Sequence, residues 1–70
     1  MTSEEMAGFI NRPSRWPLRP LLPLKRWNDD ECETGYLMEG QGLIVFDAPQ
    51  SAIGLYWDLD EFFGDGWTID

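Results

Sequence analysis

Histidine is absent from this sequence, and cysteine occurs once, at Cys32. Without histidine, neither a serine nor a cysteine nucleophile has its usual base, and a zinc site would need an unusual ligand set. Cys32 stands between Glu31 and Glu33, whose charges disfavour the thiolate that a nucleophile requires. A lone cysteine excludes an internal disulfide. There is no glycine-rich phosphate loop and no dinucleotide fingerprint. Long apolar runs are missing too: Leu43-Ile44-Val45-Phe46 is the longest aliphatic stretch, far short of the about 18 residues of a membrane span. The opening Thr2-Ser3-Glu4-Glu5 carries the wrong charge for a signal peptide, so a cytoplasmic location is expected. A chain of 70 residues also has little interior from which to shape a water-excluding pocket. The expectation is a protein that is not an enzyme and takes no cofactor.

Basic residues are scarce and confined. All five, Arg12, Arg15, Arg19, Lys25 and Arg26, fall in one acid-free stretch, and eleven acids with no Lys or Arg follow from Asn28 onward. The formal net charge of −8 therefore joins a positive segment to a strongly negative body. Such a body repels nucleic-acid phosphates and anionic membranes and attracts cationic partners.

What the chain does have is aromatic mass: four Trp, two Tyr and four Phe. One small domain is expected over residues 1–70, burying only about 60% of its unfolded surface, so several of these rings should form the core. Thr2 with Glu5 fits a capping box, and Met6, Phe9 and Ile10 share one helical face, which predicts a short helix within residues 1–11. Residues 12–27 place Pro17, Pro20 and Pro23 every three residues. That spacing argues against a helix or a central strand and predicts an extended polyproline-II strap over residues 13–26. Leu18, Leu21 and Leu24 would form its packing ridge. Residues 28–70 are the acidic body. After the polar turn Asn28–Glu31, strands are expected at Glu33–Met38 and Leu43–Asp47, joined by the glycines of residues 39–42. A break at residues 48–51 leads to a third strand, Ile53–Trp57. Asp58 and Glu61 start one helical turn near 59–63, and Trp67–Ile69 could add a last short strand. The fold class is α+β, mainly β: a three- to four-stranded antiparallel meander with the strap packed on it.

Several sites are candidates. Pro20-Leu21-Leu22-Pro23-Leu24-Lys25 resembles a ligand for SH3 domains, which implies docking of Pro20 and Pro23 in aromatic grooves and of Lys25 in an acidic pocket. The bland reading packs the leucines on the chain's own sheet and pairs its basic residues with its own acids. The acids could imitate nucleic-acid phosphates toward a DNA-binding protein, but they cluster in turns, as a solvated surface does. Asp58, Asp60 and Asp65 invite a calcium site, yet Phe62 and Phe63 stand where an EF-hand loop needs a ligand and glycine. Direct nucleic-acid binding by the aromatics would need a basic groove that the acidic body opposes. The leading expectation is a small protein–protein interaction module, an accessory or inhibitory protein of bacterial or viral type, whose partner has a basic or mixed surface. Its contact surface is expected at Tyr56, Trp57, Asp58, Asp60, Glu61, Asp65 and Trp67, aromatic anchors beside acidic turns. Self-association through an open sheet edge is a further expectation.

Overall fold

A computed structural model describes residues 2–47 and 50–70. Helix α1 (Ser3–Ile10) starts with the expected capping box: the Thr2 hydroxyl accepts from the Glu5 N–H at 3.2 Å, and the Glu5 carboxylate accepts from the Thr2 N–H at 3.1 Å. A 3₁₀ turn (Pro13–Arg15) follows, then strands β1 (Leu21–Asn28), β2 (Glu31–Met38), β3 (Ile44–Asp47) and β4 (Ser51–Leu55). Helix α2 (Leu59–Gly64) and strand β5 (Thr68–Ile69) complete the order. The Asp58 carboxylate caps α2, accepting from the Glu61 N–H at 2.9 Å. Gly40 and Gly42 take positive φ between β2 and β3, as the hairpin requires. The expected break at Ala48 and Pro49 lies outside the described residues.

The five strands form one antiparallel sheet in the order β4-β3-β2-β1-β5. β1 to β4 are a meander, and the α2 connection carries the chain back across the sheet to place β5 beside β1. A bulge between Val45 and Phe46 leaves Ile53 of β4 without a partner.

Two expectations need correction. The sheet has five strands, not three or four. The extra long strand is β1, which takes the C-terminal part of the segment expected as a polyproline-II strap: the strap over 13–26 is instead a 3₁₀ turn, a loop and an inner strand. Period two wins over period three because Leu22 and Leu24, at 1% and 0% exposure, both point into the core, whereas Leu18 is 61% exposed. Pro23 is tolerated because its carbonyl accepts from the Asp70 N–H at 3.0 Å. Its nitrogen faces the same side, beyond the last residue of the two-residue β5, so little of the ladder is lost.

Cross-strand partners share a face of a sheet, and here the two faces differ. Leu22, Leu24, Leu37 and Val45 project to the side where Ile10, Trp16, Phe62 and Trp67 pack, forming the core with α1 and α2. Register puts Leu21, Pro23, Lys25 and Trp27 of β1 on the opposite side, beside Cys32, Thr34, Tyr36 and Met38 of β2, Ile44 and Phe46 of β3, and Ala52 and Leu55 of β4. None of these belongs to the core or packs against it. The Tyr36 and Phe46 rings stack there, centroids 5.8 Å apart. Among the described residues, no helix or strand covers this outer face. No helix among the described residues is long and apolar enough to cross a membrane.

Candidate functional site

The corner where β4 runs into α2 was expected to carry the contact surface, and its residues fall into two groups. Tyr56, Asp65 and Trp67 bind one another, with Trp67 buried and Asp65 at the surface. The Trp67 indole N–H donates to the Tyr56 hydroxyl at 2.9 Å, and that hydroxyl donates a short hydrogen bond to the Asp65 carboxylate. Trp67 is 1% exposed, so its ring is an interior wall rather than a presented surface. Asp58 is engaged as the cap of α2. Trp57, Asp60 and Glu61 are left facing solvent, Trp57 at 87% exposure.

Sequence reasoning missed the residue that ties the first group together. The Arg26 guanidinium lies 4.5 Å from the Trp67 ring centroid, donates to Asp65 at 2.8 Å, and donates from Nε and Nη2 to Glu33 at 3.1 and 3.0 Å. The Asn28 side-chain amide completes Glu33 at 3.0 Å. The hairpin register contained the signal: a two-residue turn at Asp29-Asp30 sets Arg26 opposite Glu33. Hydrogen bonds from Tyr56, and then the Arg26 charge, hold the Asp65 carboxyl below its ordinary range. The Asn28 amide first, with Arg26 second, does the same for Glu33. Burial, aided by the Asp65 carboxylate, pushes the Tyr56 phenol up. Every polar group of this cluster has a partner on its own chain, so the cluster clamps α2 to β1 and β2.

The expected peptide-ligand residues lie just before β1 and within it, where the chain has strand and not polyproline geometry. Pro20 precedes β1, and its carbonyl accepts from the Glu39 N–H at 2.9 Å. Pro23 and Lys25 lie within β1, where Lys25 forms a 3.7 Å ion pair with Asp70. A polyproline ridge through Pro20 and Pro23 would require β1 to leave the sheet. Arg19 also pairs with an acid of its own chain, Glu39, at 2.7 Å.

Among the described residues, no group of three or more His, Cys, Asp or Glu is placed to hold a metal ion. Asp58, Asp60 and Asp65 of the calcium reading do not converge, since Asp58 caps one end of α2 while Asp65 meets Arg26 beyond the other.

The exposed part of the corner continues along β4. This strand forms one border of the sheet, and its sequence, Ser51-Ala52-Ile53-Gly54-Leu55, contains no charged residue. Ile53, Leu55 and Trp57 are 41%, 68% and 87% exposed, three of the five large hydrophobic residues that face solvent among the described residues. Gly54 lets the chain close up here: a Cβ on it would stand 3.0 Å from the Tyr56 hydroxyl. The result is an apolar strand edge that leads directly to the acidic first turn of α2. Comparison of the chain with protein-family models, with curated proteins and with solved structures finds no match to any of them.

Proposed function

We propose that this chain is a protein–protein interaction module that receives an extended segment of another protein along β4. The observation that carries this reading is the unguarded edge: β4 has no charged residue, and Ile53, Leu55 and Trp57 stand exposed along it. Natural sheets normally protect such borders with charge or proline, because the free backbone groups pair readily with another strand. An added strand gains its affinity from main-chain hydrogen bonds and its specificity from side-chain contacts. The bulge at Ile53 restricts such pairing to a short stretch, which leaves Leu55 and Trp57 as anchors. Tryptophan is the side chain most often dominant in protein contacts. Asp60 and Glu61, next to Trp57, favour a segment carrying Lys or Arg and mainly guide its approach.

The same geometry works against phosphate mimicry. Glu33, Glu39, Asp65 and Asp70 are paired with basic residues of this chain, so they do not form a free array. Affinity capture from the native host, using wild type, Trp57→Ala and Ile53→Pro, tests the reading. A partner retained by wild type in high salt and lost with both variants supports it. Identical capture by all three proteins refutes it, and steep loss with salt together with competition by DNA would favour mimicry instead.

A further inference from the structure

We infer that the outer face of the sheet is the contact surface between two copies of this chain, packed face to face about a twofold axis. This surface adjoins the β4 edge site at Leu55, and its evidence is charge as well as hydrophobicity. The protein carries −8 overall, yet the only charged side chain that the strands place on this face is Lys25. Its ammonium group is neutralised by Asp70, 3.7 Å away. The acids of β2 and β3, Glu31, Glu33 and Asp47, have the opposite parity and point to the core side.

The acid that reaches this face, Asp70, is already paired with Lys25, so a basic partner gains little here. A second copy offers a neutral, apolar counterpart whose strand acids lie on the other side of its sheet, so the two faces meet without like charges in contact. The stacked Tyr36 and Phe46 rings lie near its middle, where self-complementary contact across a twofold axis requires its anchors.

The dimensions approach those of the smallest specific interfaces. The 27 strand residues, at about 3.3 Å rise and about 4.8 Å spacing, project to roughly 400 Å². Side chains standing off that plane bring the area toward the roughly 600 Å² per partner of the smallest specific interfaces. Pairing two such faces makes the layered sandwich in which exposed sheet faces are normally buried.

Sedimentation equilibrium across the micromolar to millimolar range provides the test. Wild type should show twice its 8.1 kDa mass, and Tyr36→Lys or Phe46→Lys should each weaken the dimer by about tenfold or more. Near-UV circular dichroism should show both variants still folded, because neither ring is in the core. Added salt should leave the wild-type dimer unchanged or tighten it, since it screens the repulsion between two acidic bodies. Independent of any variant, a mixed sample of labelled and unlabelled wild type should give intermolecular nuclear Overhauser contacts at Tyr36 and Phe46. A monomer at every concentration, a dimer dispersed by salt, or a dimer lacking those contacts would overturn the inference. So would a dimer lost with Ile53→Pro but not with Tyr36→Lys, which would place the contact at the β4 edge. Trp57→Ala should not change the mass, which separates this result from that of the β4 edge site.

Discussion

The Trp67 ring lies across Gly35, with its Cη2 atom 3.4 Å from where a Cβ on that glycine would stand. The same Cβ would meet Val45 Cγ1 at 2.8 Å and the Phe46 carbonyl oxygen at 3.0 Å. Backbone and core both resist, so Gly35→Ala should lower stability by ~1–3 kcal/mol in urea unfolding. Gly8→Ala is the control. Gly8 is exposed within α1 with nothing within 4 Å of its missing Cβ, and the change should raise stability by up to ~1 kcal/mol. Equal effects at the two sites would contradict the packing described.

Arg26 joins two acids and an indole ring through a planar fork that lysine cannot reproduce. Its side chain is 23% exposed, which moderates but does not abolish the electrostatic gain. Arg26→Lys should cost ~1 kcal/mol, because one ammonium cannot span Glu33 and Asp65 while stacking on Trp67. The tryptophan emission of the variant should also change as the guanidinium leaves the ring. Unchanged stability and emission would show that the clamp is ornamental.

The shifted groups set limits on stability at both ends of the pH scale. Glu33 and Asp65 have lowered folded-state pKa values, so their contribution is complete above the ordinary carboxylate range. It is lost as pH falls through their folded values, below about pH 4. Tyr56 is shifted up, so the protein favours its neutral form. That contribution is intact below the ordinary phenol value and declines above about pH 10. Thermal melts across pH should show a plateau between these limits, and Tyr56→Phe should flatten the alkaline decline. An alkaline decline equally steep in that variant would assign it to other groups.

Leucines six residues apart in the proline-rich segment should behave oppositely. Leu24 is fully buried and Leu18 is 61% exposed. Leu24→Ala should cost ~2–5 kcal/mol, whereas Leu18→Ala should stay within ~0.5 kcal/mol. Comparable losses at both positions would restore the three-residue ridge that the strand replaces.

Much of the local structure could be read from short-range chemistry. Thr2 with Glu5, Asp58 with Glu61, and the glycines at 40 and 42 each act within a few residues, and each element they imply is present. The proline-rich segment was illegible for a different reason. Its backbone preference favours polyproline II, and only pairing with Glu31–Met38 and Thr68–Ile69 draws Leu21–Asn28 into the sheet. At the candidate site, Trp57 and its acids were visible as a cluster. Trp57 and Trp67 nevertheless look alike in sequence, and only the fold buries one and exposes the other. Arg26 was equally hidden, since its partners Glu33 and Asp65 lie 7 and 39 residues away.

The position of β5 beside β1 bears on how the protein is made. Phe62 and Trp67 are among its largest fully buried side chains, and they are synthesised tens of residues after the leucines they cover. A nascent chain that has reached only β4 has α1 and Trp16 to cover part of the core side of its sheet, but lacks Phe62 and Trp67. The core is therefore complete only once residues 62–69 are in place, so the last part of the chain closes the fold begun by the first.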